Sequence, residues 1–137
     1  MSVEAFLDSN VLLYAASKDR ADASKAAQAR ELIATMRFGV SMQVVQEFYH
    51  NARIKARLAI TPLQAEKIIA LLLGRPMVLT DGELFAHARR LCERYQLRYW
   101  DAAIVAAAKC LGAPLLYSED LSSGQAYDGV KVINPFV

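Results

Sequence analysis

Four acidic residues, widely separated along the chain, lie beside short apolar runs and are the side chains best suited to chemistry. Asp8 directly follows the run VEAFL, and Asp120 comes two residues after PLLYS, also at the carboxyl end of a predicted strand. Glu47 comes three residues after Val44 in a segment of helical spacing, so it projects near the apolar stripe and not squarely into water. Asp101 opens an alanine-rich segment directly after RYW.

Each acid also has an ordinary structural interpretation. Asp8 could cap a helix that starts near Asn10, and Asp101 could cap its own helix or interact with the helix dipole. Glu47 could be a partly exposed helix residue, and Asp120 could belong to a turn. If the four acids gather at one place, however, they repel one another unless a cation lies between them. Carboxylate oxygens are hard ligands that select Mg²⁺ or Mn²⁺, not zinc.

Apolar runs alternate with helical segments, and this pattern predicts the elements that must position the acids. Five runs predict strands at 3–7, 38–41, 76–79, 114–117 and 131–133. Helical spacing covers 22–36 and 42–58. Short buried strands between helices indicate an α/β domain with a roughly five-stranded parallel sheet and helices on both faces. In such folds ligands bind outside the carboxyl ends of the strands, where Asp8 and Asp120 fall.

Local signals predict where three further helices begin or end. TPLQ at 61–64 supplies a threonine N-cap, a proline at the first helical position and a glutamine at the third. TDGE at 80–83 matches a capping box, in which Thr80 would be the N-cap and Glu83 its partner. The alanine-rich segment 101–111 ends at Gly112, which favours a helix stop.

Length and composition limit the classes of protein to consider. The 137 residues, 55% hydrophobic and 22% charged, predict a single globular domain over 1–137. The net charge of +2 is too small to indicate a nucleic-acid partner by itself. Cys92 and Cys110 form neither a metal-ligand spacing nor a disulfide framework, which favours a reducing compartment. With no signal peptide and no long apolar run, we expect a cytoplasmic protein that does not enter membranes.

Four segments of the chain resemble the acidic motifs of a known family. FLDSNVLLY, QVVQEFYH, RYWDAAIVAAA and LLYSEDLSSGQ look like the motifs of the PIN domain family, especially of VapC-type toxins from bacterial toxin–antitoxin pairs. The motifs occur in the family's order, and the resemblance extends from Asp8 to the closing VKVINPF. It implies four metal-site acids and two supporting polar residues: Asp8, Glu47, Asp101, Asp120, Asn10 and Ser118. The family often has threonine at the position of Ser118, and its fourth acid is its least uniform, so Glu119 remains an alternative to Asp120.

The resemblance implies an activity that the chemistry of the residues suits. The expected enzyme is a Mg²⁺- or Mn²⁺-dependent endoribonuclease that hydrolyses phosphodiester bonds in single-stranded or looped RNA. A carboxylate-held cation can activate water near neutral pH and stabilise the developing anion, so no histidine is required. His50 and His87 lie outside the motifs and are expected at the surface. The expected partners are the RNA, a cognate antitoxin that blocks the site and a second copy of the chain in a homodimer.

A polyanionic substrate approaching an acidic site requires flanking positive charge. HNARIKAR at 50–57 and HARRLCERYQLR at 87–98 supply candidate RNA-binding residues: Arg53, Lys55, Arg57, Arg89, Arg90, Arg94 and Arg98. Solvated helix faces explain these charges equally well. Tyr49, Tyr99 or Trp100 could stack on an unpaired base, although Trp100 could equally be a core residue.

Four other functions can be compared with the sequence, and two of them lack residues that they require. A haloacid dehalogenase-type phosphatase needs a second aspartate two residues after the first, and this chain has Asn10 there. A phosphoacceptor receiver domain needs paired acids near the N-terminus and a lysine after a late strand, where this chain has Ser118 to Asp120. A catalytically inactive PIN-like module that binds RNA or protein, and a housekeeping RNA-processing nuclease, are the alternatives that remain.

Overall fold

The computed structural model describes residues 3–137, and within them an α/β domain is formed. The strands are β1 Ala5–Leu7, β2 Phe38–Ser41, β3 Met77–Val78, β4 Leu115–Tyr117, β5 Ala126–Tyr127 and β6 Val130–Ile133. The helices are α1 Ser9–Ala16, α2 Ala23–Thr35, α3 Met42–Ile54, α4 Pro62–Leu73, α5 Gly82–Tyr95 and α6 Tyr99–Cys110. Short 3₁₀ turns at Arg20–Asp22 and Ala56–Leu58 precede α2 and α4. No helix of the described part is long and apolar enough to cross a membrane.

The predicted α/β class and mostly parallel sheet are confirmed, with one strand added. The strand order is β3-β2-β1-β4-β6-β5, and every neighbouring pair is parallel except β5 with β6. The added strand is two residues long and joins β6 through Asp128 and Gly129, both at positive φ. Positive φ at both loop residues is the requirement of a type I′ hairpin, and the Asp-Gly pair in the sequence signals it.

The sheet reverses its direction of growth between β1 and β4. The chain adds β2 and then β3 on one side of β1, and returns to place β4 on the other side. Right-handed crossovers then place α1–α4 on one face and α5 and α6 on the other. The packing agrees: α1 contacts α2 and α3, and α3 contacts α4, whereas α5 packs on α6, which covers β2, β4 and β6. All three residues of β1 are buried, as expected for a strand covered on both faces.

Helix boundaries follow the sequence signals closely, with two corrections. The Thr61 capping box and Pro62 start α4 as predicted, and Gly112, at φ 72°, follows the end of α6. The predicted Thr80 cap is wrong: Asp81 is the N-cap of α5 and accepts from the backbone N–H of Leu84 at 2.8 Å. Aspartate caps as well as threonine, so TDGE supports two registers one residue apart.

The alanine-rich helix α6 begins at Tyr99, two residues before the predicted start. The backbone N–H of Ala102 donates to the carbonyl of Arg98 at 2.9 Å, and this bond closes the first turn. Asp101 is therefore a first-turn residue and not the N-cap. Every residue from 102 to 108 is buried, and the small alanine side chains allow α6 to approach the sheet closely. That approach carries Asp101 to the edge of the sheet.

The close packing around β2 gives a first testable prediction. A Cβ at Gly39 would lie 2.6 Å from Cδ1 of Leu111 and 3.0 Å from the carbonyl oxygen of Pro76. We expect Gly39→Ala to lower the free energy of unfolding by about 1 to 3 kcal/mol through overpacking. Gly82→Ala is the matched control, because nothing lies within 4 Å of its Cβ position. Urea denaturation of both variants provides the measurement, and equal stabilities would contradict close packing at Gly39.

Candidate active site

The four acids singled out in the sequence line one cleft at the carboxyl edge of the sheet. Asp8 follows β1, Glu47 lies in α3, Asp101 in the first turn of α6, and Asp120 follows β4. The cleft has a volume of about 290 Å³. The topological switch between β1 and β4 brings Asp8 and Asp120 to the same edge, as expected for a doubly wound sheet.

Asp8 is the most buried acid of the cleft and is held by neutral donors. Its Oδ1 accepts from the backbone N–H of Ser9 at 2.7 Å, and its Oδ2 accepts from the Ser118 hydroxyl at 2.8 Å. Only 5% of Asp8 is exposed. Asp8 is thus the N-cap of α1, which starts at Ser9, one position before the predicted start near Asn10, and Asp8 also lines the acidic cleft. Asp8 therefore caps a helix and lies among the acids of the cleft at the same time.

Asn10 and Ser118 connect the first acid to the fourth. The Asn10 amide nitrogen donates to Asp120 Oδ2 at 3.2 Å and to the Ser118 hydroxyl at 3.4 Å. The Asn10 carbonyl oxygen accepts from the backbone N–H of Glu119 at 3.2 Å. Ser118 accepts from the backbone N–H of Asp120 at 3.1 Å while it donates to Asp8. Both predicted supporting residues therefore contact the acids or their backbone.

Glu47 is positioned by two residues that the sequence reasoning did not select. The Ser9 hydroxyl donates to Glu47 Oε1 at 3.2 Å, and the Gln43 amide donates to Oε2 at 3.3 Å. Gln43 also donates to the carbonyl of Trp100 at 3.2 Å and so links α3 to the start of α6. The signals were present but weak: Ser9 lies inside the DSN motif, and Gln43 lies one helical turn before Glu47.

Asp101 and Glu119 are each paired with a cation. Asp101 Oδ2 lies 3.3 Å from Nε of Arg98, three residues earlier. Glu119 Oε1 lies 2.8 Å from Nζ of Lys25, a residue of α2 that no sequence motif indicated. The structure therefore directs Asp120 towards Asn10, whereas Glu119 points to α2.

Burial raises the pKa of Asp8 from its ordinary value of 3.8 to about 7. The nearby charges of Glu47 and Asp120 add to this rise, while the hydrogen bonds from Ser118 and Ser9 oppose it. Asp22 is an instructive contrast: it is also buried, but Arg57 lies 2.9 Å away. Within residues 3–137 no ion pair reaches Asp8. Asp22 is therefore an acid whose charge the protein compensates itself, and Asp8 is not.

The donor set of the cleft suits a hard divalent cation. Its donor atoms are carboxylate oxygens, together with neutral oxygens of Ser9 and Asn10, and no histidine or cysteine of the described residues lines it. His50 is exposed, and His87 contacts Asp128 elsewhere at 3.2 Å. Among the described residues, no group of three or more His, Cys, Asp or Glu side chains could hold a metal ion as placed. Asp101 and Asp120 instead contact Arg98 and Asn10.

The seven candidate RNA-binding residues occupy three places. Lys55, Arg57 and Arg98 line the cleft. Arg57 binds Asp19 and Asp22, and Arg98 binds Asp101, whereas Lys55 forms no ion pair with any described residue. Of the cations at the cleft, Lys55 is therefore the most available to a phosphate.

The other four basic residues lie outside the cleft lining. Arg53 lies over the Tyr49 ring at 5.5 Å, in a neighbouring groove between α3 and α4. The remaining three, Arg89, Arg90 and Arg94, are on α5. Arg89 pairs with Glu93, one turn further along that helix, at 3.7 Å. Their part in RNA binding stays a prediction.

Trp100 is at the surface and borders the cleft, so the interpretation of it as a core residue is wrong. Its side chain is 60% exposed. Tyr99 supports the ring from beside it, edge on, with centroids 5.0 Å apart. The exposed indole next to Asp101 is thus a surface on which an unpaired base could stack.

Comparison with known proteins agrees with the fold. A model of the PIN domain matches residues 5–124, and a search of curated proteins finds no match. A toxin–antitoxin complex from Klebsiella pneumoniae is similar, with a TM-score of 0.70, 17% identity and coverage of 96% of this chain and 98% of that chain. FitAcB from Neisseria gonorrhoeae is also similar, with a TM-score of 0.66, 17% identity and coverage of 96% of this chain and 97% of that chain. VapC20 of Mycobacterium tuberculosis, a toxin that cleaves the sarcin–ricin loop, has a TM-score of 0.65 and 18% identity, with coverage of 85% of this chain and 89% of that chain.

The buried charge of Asp8 predicts a pH-dependent effect on stability. Because the pKa of Asp8 is about 7 when folded and near 3.8 when unfolded, the folded state holds the proton more tightly. The metal-free wild type therefore loses stability as the pH rises from about 4 to about 7. Asp8→Asn removes this loss and still caps α1. The free energy of unfolding of the variant should therefore rise, relative to that of the wild type, by up to about 4 kcal/mol across that pH interval. The variant also loses the hydrogen bond that Ser118 donates to Asp8 Oδ2, which reduces this gain.

Denaturation with urea in EDTA at pH 5 and pH 8 measures the effect. Asp81→Asn is the matched control, because Asp81 is also an N-cap but is exposed and outside the cleft. We expect the stability difference between Asp8→Asn and wild type to favour the variant more at pH 8 than at pH 5. A difference that does not change between the two pH values would show that the charge of Asp8 is not a liability in the fold.

Proposed function

Because this chain belongs to the PIN domain family, we propose that it is a metal-dependent endoribonuclease and the toxin of a toxin–antitoxin pair. The observation that carries the proposal is the gathering of carboxylates from four separate segments of the chain in one cleft. Asp8 is buried among them, and no cation of residues 3–137 forms an ion pair with it. A protein retains such a group where its charge has a use, and perturbed carboxylates in a cleft are typical of catalytic sites.

The acids would hold Mg²⁺ or Mn²⁺ through Asp8, Glu47, Asp101 and Asp120. Such a cation supplies a water activated near neutral pH and a counter-charge for the phosphodiester as it becomes more negative. The chain's own contribution is orientation. Ser118 fixes one oxygen of Asp8, and Asn10 fixes one oxygen of Asp120, both as neutral donors that leave the acid's charge available.

The rim of the cleft supports single-stranded or looped RNA as the substrate. Lys55, which forms no ion pair with a described residue, provides positive charge at the cleft, and the exposed Trp100 provides a stacking surface. An aromatic face binds a base only where the base is unpaired, as it is in loops and single strands. A duplex would offer its phosphates to Lys55 but no base to Trp100.

The toxin role and its partners are part of the same proposal. Similar folds occur in a toxin–antitoxin complex from Klebsiella pneumoniae and in VapBC2 from Rickettsia felis. By analogy, we propose that a cognate antitoxin covers the cleft of this chain and that two copies form a homodimer. A housekeeping RNA-processing nuclease would have the same chemistry, and a neighbouring gene for a DNA-binding antitoxin would favour the toxin role.

The metal mechanism predicts the conditions and the variants in which RNA cleavage is lost. Structured RNAs incubated with Mg²⁺ or Mn²⁺ should be cut in their loops, and EDTA should stop the reaction. Asp8→Asn should reduce cleavage to background and remove most of the thermal stabilisation that Mn²⁺ gives the wild type by binding the native state. Ser118→Ala should lower cleavage about 10- to 100-fold, the usual effect of removing a group that orients a metal ligand.

Asp128→Asn is the control for that experiment, because Asp128 pairs with His87 away from the cleft and should leave cleavage unchanged. Cleavage that continues in EDTA would exclude the metal mechanism. Binding of RNA and Mn²⁺ with no cleavage by the wild type would favour the inactive binding module.

The exposed indole predicts a direct spectroscopic signal for base stacking. Trp100 is the only tryptophan of the chain, so its fluorescence reports on this place alone. A short single-stranded RNA added in EDTA should quench it, whereas an abasic oligonucleotide with the same number of phosphates should not. Trp100→Leu should weaken binding of the labelled RNA, measured by anisotropy, by about 1 to 3 kcal/mol, the contribution of one stacked base.

Phe85→Leu is the matched variant for stacking, since Phe85 is 48% exposed and packs on Tyr99 but does not line the cleft. It should leave RNA affinity close to that of the wild type. If the abasic oligonucleotide quenches as strongly as the RNA, the contact is with the backbone and Trp100 is not a stacking surface.

A further inference from the structure

Two neighbouring acids after β4 extend in different directions. Asp120 Oδ2 accepts from the Asn10 amide at 3.2 Å, whereas Glu119 Oε1 lies 2.8 Å from Nζ of Lys25. Both acids line the same cleft. Since the sequence allows either acid as the fourth member of the cluster, the direction of the two side chains decides between them.

Backbone hydrogen bonds hold both acids at the edge of the sheet. The N–H of Glu119 donates to the carbonyl oxygen of Asn10, and the N–H of Asp120 donates to the Ser118 hydroxyl. The same pair of residues therefore holds the backbone of both acids, and the side chain of Glu119 has further partners of its own.

Those partners are Lys25, which forms an ion pair with Glu119 at 2.8 Å, and Tyr14, whose hydroxyl hydrogen-bonds the Glu119 carboxylate. Lys25 is itself fixed from several sides. Its ammonium lies 3.3 Å from the Tyr14 hydroxyl and 4.7 Å from the centre of the Tyr14 ring. The Phe136 ring lies 5.7 Å away on the C-terminal segment and packs edge on against Tyr14. The Tyr14 and Phe136 rings and the Tyr14 hydroxyl hold the ammonium in place, and Glu119 is its carboxylate partner.

Resting on the proposed function, we infer that Lys25 is a positioning residue that keeps Glu119 out of the acid cluster and so makes Asp120 the fourth acid. A free Glu119 would add a fifth negative charge to the cleft, where it would attract the cation and repel the phosphate of the substrate. The ion pair cancels that charge. The side chains of Lys25 and Glu119 are 36% and 28% exposed, so the pair contributes little to folding stability and its loss should leave the fold intact.

The test compares Lys25→Met, which keeps the length of the side chain, with the double variant Lys25→Met/Glu119→Gln in the full chain. Calorimetric titration with Mn²⁺ should show tighter binding by Lys25→Met, by about three- to tenfold, because the released Glu119 adds charge near the cation. The double variant should return to the wild-type affinity. If both variants bind Mn²⁺ equally, Lys25 has only a structural role and the inference is overturned.

A crystal structure of metal-free Tyr14→Phe/Lys25→Met, which lacks both side-chain partners of Glu119, gives a second readout that does not depend on Mn²⁺. The Glu119 carboxylate should leave the Tyr14 and Phe136 side and turn into the cleft towards Asp120. Glu119 remaining in place would overturn the inference. If Glu119 turns while the wild type neither binds Mn²⁺ nor cuts RNA, the proposed function fails and the positioning role of Lys25 stands.

Discussion

The edge of the sheet is organised around one buried carboxylate, Asp8, which the fold supports with neutral donors only. Burial raises the pKa of Asp8, and the charges of Glu47 and Asp120 raise it further. The buried Asp22, by contrast, pairs with Arg57 at 2.9 Å. Hydrogen bonds from Ser9 and Ser118 fix both oxygens of Asp8, and no ion pair within residues 3–137 compensates its charge. Burial of the ionised carboxylate lowers the stability of the fold, and in return the hydrogen bonds hold the carboxylate in one defined orientation.

The topology of the sheet makes this arrangement possible. Residues 110 positions apart meet because β1 and β4 are parallel neighbours, with Leu7 opposite Tyr117. The backbone N–H of Asp8 extends that ladder by donating to the carbonyl of Tyr117 at 3.1 Å. Both chains leave the sheet at the same level, so Asp8 and Ser118 come within hydrogen-bond distance. The small residues of α6 then allow Asp101 to approach from the helix layer above.

The sequence was sufficient to predict which acids meet, and insufficient to predict what holds them. Asp8 and Asp120 follow apolar runs, and parallel strands bring such positions to one edge. Gln43 and Lys25 act through the direction of a long side chain between two elements, which no periodicity in the sequence specifies. The predicted Thr80 cap was wrong for a related reason, because a second good cap, Asp81, stands directly after it. The hairpin β5–β6 was readable from Asp-Gly, although its strand is only two residues long.

Asp8 can cap α1 and serve as a proposed metal ligand at the same time, because its carboxylate has two oxygens. Oδ1 accepts from the first N–H of α1, so the positive end of that helix partly offsets the buried charge. The bond also sets the rotation of the carboxylate, which directs Oδ2 towards Ser118 at the cleft. An N-cap is therefore a means of orienting an acid as well as of starting a helix. The same residue type after β1 satisfies both needs, which is why local sequence signals alone could not separate them.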